Sequence, residues 1–334
     1  MSDSAQIPSV TDRAKPVAAG AGVIGIHFLH ETAVFVLGEE ALLLVGADDA
    51  ERRVPLHAGG ILCSAGDGAR VLTGGDDGKV IATNHKGQGE TVATDAKHRW
   101  IDRVALGPDG AMAWSAGKQA FVRTPKGEVK PLDLPSSAGG LAFAPKGLRL
   151  AIAHYGGASL WFPNAQAAPQ TLAWKGSHLD VLFSPDGQFL ITAMQEPMLH
   201  GWRLMDGKDM RMSGYSGKVG AMAFTAGGKW LATSGSEQLI LWPFASKDGP
   251  MGKQPRMVAP YEKRVVAVAC HPKQEIVAAG FEDGLVMLAR IEDGAEILAK
   301  RPAAAAVTAL AWNSDGAKLA FGTEAGEAGI VDLA

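Results

Sequence analysis

An all-β ring of repeated four-stranded sheets is the fold this sequence predicts, and three observations predict it. The first is the stretch Val181–Ala193, VLFSPDGQFLITA, in which two apolar runs too short for helices flank Pro185, Asp186 and Gly187. Proline presets φ and glycine tolerates a positive φ at little steric cost, so the stretch reads as a tight β-hairpin. The second is recurrence: looser copies begin at Gly25, Ile61, Arg103, Gly140, Ala221, Ala267 and Ala309, which gives eight units. Aligned on one turn residue each (His30, Asp67, Asp109, Lys146, Asp186, Gly227, Lys273 and Asp315), the units are spaced 37 to 46 residues apart. The mean of about 41 is the length of a propeller blade with four strands. The third is alternation with a period of two between glycine-rich turns, which excludes the paired helices that a similar repeat could encode.

The innermost strand of each unit comes first. The column of Phe183 is filled by Phe28, Ser64, Leu106, Phe143, Phe224, Cys270 and Trp312, and the column two before it is also mostly large and apolar. The column between them, His27, Cys63, Ala105, Ala142, Leu182, Ala223, Ala269 and Ala311, is mostly small. Large residues on one face and small ones on the other suit the crowded inner ring of radially packed sheets. After the turn comes a second strand such as VLTGG, LAIAHY, WLATSG or IVAAG. A tight turn follows, as at Asp76-Asp77-Gly78 or Glu282-Asp283-Gly284, then a third strand such as KVIAT or LILW. A more polar fourth strand, RRVPLH from Arg52 or EILAKR from Glu296, closes the meander.

Closure is also readable. The last unit has three strands, because the sequence ends at Ala334, and KPVAA at Lys15–Ala19 precedes the first full unit. We expect this N-terminal strand to close the last blade, removing the open edges that invite aggregation. Residues 1–14 are expected to be a flexible tail and 15–334 a single propeller domain of eight blades, with seven as the alternative.

These residues resemble the WD40 repeat family over about residues 15 to 334. The resemblance rests on the Ser-Pro-Asp-Gly turn, the LATSG and DG segments, Trp161, Trp202 and Trp242 ending third strands, and His98 eight residues before Leu106. No Trp-Asp dipeptide occurs, since those tryptophans precede Phe162, Arg203 and Pro243. The family's internal His/Asp/Ser/Trp hydrogen-bond network is therefore not expected in most blades. The resemblance implies an interaction platform for a partner protein or peptide, and a monomer is expected.

Composition bounds the partner class. Apolar residues make up 47% and charged residues 20%, and a net charge of −3 is not that of a polyanion binder. The N-terminus lacks the basic start and apolar core of a secretory signal, and Glu39 and Glu40 interrupt the longest apolar run, so a cytoplasmic protein without a membrane anchor is expected. Cys63 and Cys270 make no disulfide framework and read as small buried residues.

Single motifs fare poorly against their bland readings. GAGVIG at Gly20–Gly25 matches a dinucleotide fingerprint, but an alternating segment follows it instead of a helix. His27 and His30 lie three apart on a strand and point to opposite faces, so they cannot chelate one ion. Neither Cys-x-x-Cys nor His-Glu-x-x-His occurs, and no Gly-x-Ser-x-Gly elbow is present, so no cofactor, metal or enzymatic activity is expected.

Candidate site residues collect on one rim, where fourth-to-first-strand loops and second-to-third-strand turns emerge together. Trp100, Tyr155, Tyr215, Tyr261 and Phe281 are expected there as exposed aromatics among His98, Arg99, Lys218 and Arg264. Arg103 and Asp180 carry charge in an inner column that is otherwise small or apolar, and Asp102 adds a carboxylate beside Arg103. Buried charge is costly unless paired or hydrated, so these residues either neutralise one another or meet a ligand at the channel mouth. Arg103 and Asp180 sit two blades apart, which favours separate roles. The leading function is a non-catalytic scaffold gripping a protein segment on this rim, where aromatic and arginine anchors suit an interface. A small-molecule or enzymatic propeller using the channel mouth, and nucleic-acid binding through basic loops, are the alternatives.

Overall fold

The Ser-Pro-Asp-Gly turn closes as its chemistry dictates. Ser184 Oγ accepts from Phe189 N at 2.9 Å, Asp186 Oδ1 accepts from Gln188 N at 3.0 Å, and Gly187 N donates to Ser184 O at 2.8 Å. Turns of this kind fold the chain into antiparallel meanders throughout. The structure is a computed structural model describing residues 7–334.

Strands Val23–Leu29, Thr32–Leu37, Ala41–Val45 and Glu51–Pro55 form the first sheet. The second is Ile61–Gly66, Arg70–Gly75, Lys79–Asn84 and Gly89–Thr94, and the third Arg103–Leu106, Met112–Ala116, Gln119–Arg123 and Val129–Asp133. A six-stranded sheet follows: Gly140–Phe143, Leu150–Trp161, Gln170–Phe183, Phe189–Met194, Met198–Arg203 and Lys208–Ser213. The next two are Met222–Phe224, Trp230–Thr233, Leu239–Pro243 and Arg256–Val258, then Val265–Cys270, Ile276–Phe281, Val286–Arg290 and Glu296–Lys300.

The last sheet joins both ends of the ring. Ala14–Ala18 pairs antiparallel with Glu327–Asp332, in the register Ala14↔Val331 to Ala18↔Glu327, outside Lys318–Thr323 and Val307–Trp312. The expected N-terminal clasp is therefore present. Of the tail expected over residues 1–14, residues 1–6 lie outside the described residues. The rest is not free: Val10 N donates to Leu298 O at 2.9 Å, Leu298 N to Pro8 O at 2.8 Å, and Thr11–Arg13 make one 3-10 turn into the clasp.

Counting each hydrogen-bonded sheet as one blade gives seven, so the expected eight separate blades are corrected to the alternative number. The fourth and fifth repeat units share the six-stranded sheet because two of its strands run on through places where breaks were expected. Leu150–Trp161 reverses at Gly156 and Gly157, both at positive φ, and His154 Nε2 lies 2.9 Å from Ser159 Oγ across the reversal. Gln170–Phe183 passes from the outer edge of unit four to the inner edge of unit five without leaving extended pairing. The repeat itself survives this merger, for apolar seams still link each unit to the next. Leu160 and Leu172 of unit four, for example, pack against Val181, Phe183 and Trp202 of unit five.

Burial of these seams is what the alternating columns encode. Ala309, Ala320 and Ala328 of the last sheet meet Val17 of the clasp and Val23, Phe35 and Leu43 of the first, all buried. One alignment differs from the sequence reading. Gly66 pairs with Val71 as Phe183 pairs with Leu190, so Gly66, and not Ser64, stands in the Phe183 column. Unit two has a turn two residues shorter, and an even slip leaves each side chain on its expected face. The exception in the small column, His27, explains the glycine: a Cβ on Gly66 would sit 2.6 Å from His27 Nδ1.

Among the described residues, no helix is long and apolar enough to cross a membrane. Introducing Asp at Val17, which is buried in the clasp seam, should cost about 3 kcal/mol or more through an unpaired buried charge. Urea unfolding measures that loss, and light scattering should show concentration-dependent association through the freed edge at Glu327–Asp332.

Candidate functional site

One rim of the ring is stitched from incoming loops and second-to-third-strand turns. Asp95 N donates to Gly78 O at 2.8 Å, Ile101 N to Gly75 O at 3.1 Å, Gly217 N to Gly235 O at 2.9 Å and Tyr261 N to Glu237 O at 2.8 Å. Three of these bonds hold a loop to the turn of the preceding unit and the one from Gly217 holds it to the turn of its own unit, so the loop backbones of this rim are fastened to the sheets.

The expected anchors separate into two groups on this face. Trp100 and Tyr155 stand 62% and 67% exposed, while Lys218 and His98 are also exposed. Tyr155 N donates to Ser136 Oγ at 2.9 Å, which fixes the turn carrying its ring. Arg99 is held by Asp95 through Nη2–Oδ2 at 2.6 Å and Nε–Oδ2 at 3.1 Å, and the pairing draws the Asp95 carboxyl down to about 2. Arg264 is engaged by Glu282 at 2.5 Å.

Tyr215 and Phe281 are corrections to the exposed set: both are buried. Tyr215 Oη lies 2.9 Å from Thr233 Oγ1 and accepts from Trp242 Nε1 at 2.7 Å, and burial pushes its hydroxyl up to about 12. Phe281 packs edge-on against the half-buried Tyr261, whose hydroxyl donates to Asp283 Oδ2 at 2.8 Å. Burial, reinforced by that carboxylate, raises Tyr261 to about 12.

At the channel mouth Arg103 is satisfied by carbonyls. Its Nε donates to Gly139 O and its Nη1 to Asp102 O, both at 2.6 Å, so the guanidinium ties unit three to unit four. The bareness of Gly139 and Gly140 is what brings unit five close. A Cβ on Gly139 would lie 2.0 Å from His178 O, and one on Gly140 would lie 2.8 Å from Asp180 Cα. Asp180 Oδ1 accepts from Val181 N at 2.8 Å, and no ion pair joins it to Arg103. The carboxylate touches solvent in the channel yet is surrounded by protein, and this desolvation raises its pKa against the weaker pull of Arg103. Separate roles for the two charges, expected from their spacing, agree with this geometry.

The polar network that the sequence placed in doubt is present in one unit. His57 Nδ1 lies 2.9 Å from Asp77 Oδ1 and His57 Nε2 lies 2.9 Å from Thr73 Oγ1. His57 was absent from the sequence reading, although its place ahead of the second unit's inner strand, with Asp77 in the turn, was an available signal. Unit three has no such network. His98 turns outward at positive φ, and the Ser115 hydroxyl is buried without a partner.

A second buried histidine escaped the sequence. His200 stacks on Trp174 at 4.1 Å, with the Arg211 guanidinium over the other part of the stack at 4.3 Å from the Trp174 centroid. Trp202 meets it edge-on at 4.7 Å and neither of its ring nitrogens has a hydrogen-bond partner. Asp209 Oδ2 lies 3.6 Å from Nε2, but burial, helped by His178 and Arg211, outweighs it and pushes the imidazole down to about 4. Burial likewise raises both cysteine thiols, Cys63 and Cys270, to about 12. Gly25 lies within the strand Val23–Leu29, so no helix follows the glycine-rich motif. No cluster of three or more metal-ligating side chains occurs among the described residues.

Two stability predictions follow from these side chains. Thr73→Ala should cost about 1–3 kcal/mol by stranding His57, whereas Ser115→Ala removes an unpartnered hydroxyl and should be neutral or stabilising by up to about 1 kcal/mol; urea midpoints of the two variants test the contrast. The folded-state value of His200 lies below the ordinary 6.5, so the unfolded chain takes up the proton first. Its contribution is complete above about pH 6.5 and is lost as pH falls toward 4. The Tm of His200→Phe, which keeps the stack, should therefore gain on that of the native protein as pH is lowered across this window.

Comparison with known proteins agrees with this construction. The family model of the anaphase-promoting complex subunit 4 WD40 domain matches residues 263–334. The crystal structure of the computationally designed Ika8 protein superposes with a TM-score of 0.76 at 15% identity, covering 93% of this chain and 96% of the other, a likeness of fold alone. No curated protein is similar enough to match. With apolar seams around a closed ring and a His57–Thr73–Asp77 network, the chain is an all-β, WD40-like propeller, and its last two units match a WD40 family model.

Proposed function

We propose that the chain is a non-catalytic scaffold that grips a segment of a partner protein on the stitched rim. The carrying observation is the exposure of Trp100 and Tyr155, two large aromatics in adjacent units on a face whose loops are already fixed. Aromatic anchors on a preorganised surface lose little conformational freedom on binding, which is why such residues dominate interface energetics. Arg103, exposed at the channel mouth, has its position set by Gly139 and Asp102. Lys218 extends the same face with positive charge in a cavity of about 370 Å³ at the seam before the seventh repeat unit, beside the Arg264–Glu282 pair. The matched family is named for a subunit of a multiprotein complex, which is consistent with this reading.

Capture of partners from native cell extract tests it. The double variant Trp100→Ala/Tyr155→Ala should keep the native Tm, because both rings are exposed. Binding of a captured partner should fall roughly 30-fold or more, the loss expected for hot-spot residues. Undiminished capture by the folded variant would remove the rim from consideration.

A further inference from the structure

The longest spacing in the repeat, 46 residues between Gly227 and Lys273, belongs to unit six. Its surplus lies between the strands Leu239–Pro243 and Arg256–Val258, and it folds outward toward the neighbouring unit. There it forms one wall of a groove of about 540 Å³ on the circumference of the ring, away from the rim. The opposite wall is the strand Lys208–Ser213, the last in its sheet, hydrogen-bonded on one side to Met198–Arg203 and unpaired on the other. Buried Trp242 and Met210 line the groove, and Pro250 and Pro255, which carry no N–H, stand in the surplus wall.

Charge in the groove is one-sided. Lys208, Arg211 and Lys253 line it, and none of them forms an ion pair among the described residues. Lys253 donates to Ser246 Oγ at 2.6 Å and Arg211 lies over Trp174. The single lining carboxylate, Asp209, is directed toward His200 at 3.6 Å. An unpaired edge offers a ladder of backbone donors and acceptors, and the two lysines on the groove side select what can align with it. We propose that this groove binds an extended acidic segment of a partner protein, which adds as a fifth strand beside Lys208–Ser213. Glutamate or aspartate side chains on the groove face would meet Lys208 and Lys253, with the alternate apolar side chains on the opposite face beside Arg211 and the Trp174 ring it covers.

The probe is a six-residue peptide alternating glutamate with valine, matched in length to Lys208–Ser213. It is titrated into the full chain while Trp fluorescence and isothermal heat are followed. Saturable binding is expected. It should weaken at least tenfold in Lys208→Glu/Lys253→Glu, whose two sites are exposed, and be abolished by N-methylation of alternate peptide bonds. The Trp100→Ala/Tyr155→Ala variant should bind the peptide normally, so failure here and failure of the rim reading are distinguishable. Absence of binding would mean that the lysines only guard an edge against aggregation. Equal binding of a lysine–valine peptide, or indifference to N-methylation, would overturn strand addition of an acidic segment. Sedimentation showing a dimer that the double charge reversal dissociates would assign the groove to a second copy instead and equally overturn the proposal.

Discussion

Everything in this molecule depends on burying both faces of every sheet. A strand such as Thr32–Leu37, buried at five of its six positions, can exist only between two neighbours, because one twisted sheet exposes whichever flank is left uncovered. Repetition supplies the neighbours and closure supplies the last one. Val17 and Ala19 of the clasp pack in the same apolar seam as Val23, Phe35 and Leu43, so the two ends of the chain are fastened by hydrogen bonds and by hydrophobic contact together. At about 25 cal/mol per Å² of apolar surface, such seams are the dominant favourable contribution in a fold almost without helix.

Crowding at the axis imposes the second constraint. Where an inner strand carries a bulky residue, its neighbour must carry almost nothing: His27 faces Gly66, and the backbone of His178–Asp180 faces Gly139 and Gly140. The same closeness draws units four and five into one continuous sheet, since the outer strand of one leads straight into the inner strand of the next. That merger changes the number of sheets without changing the logic of the seams.

Polar groups are then disposed according to what each seam can satisfy. Unit two spends a histidine, a threonine and an aspartate on one internal network; unit six substitutes Tyr215, Thr233 and Trp242; unit three leaves Ser115 without a partner and turns His98 outward. Divergence of this kind frees loop side chains from structural duty, and in unit three the released segment carries Trp100 to the surface. The rim and the circumferential groove thus arise from the same cause, in which departure from the repeat marks where the surface is not fully committed to the fold.

Period, alternation and turn chemistry by themselves determined the strands, their order and the closing role of the N-terminal segment, because each is set by local rules that repeat about every 41 residues. Seven sheets instead of eight, and the shortened turn of unit two, depended on where strand pairing runs through a junction or skips two residues; an even slip leaves the hydrophobic pattern unchanged. For the rim, the sequence placed Trp100 and Tyr155 among its loops and turns but could not tell them from Tyr215 and Phe281, whose rings turn inward because Thr233, Trp242 and Tyr261 are there to receive them. His57 and His200 were silent for the same reason: their partners come from strands 16 to 26 residues away or from the next unit. Local pattern fixes which face a residue occupies, and only three-dimensional packing decides whether that face is covered.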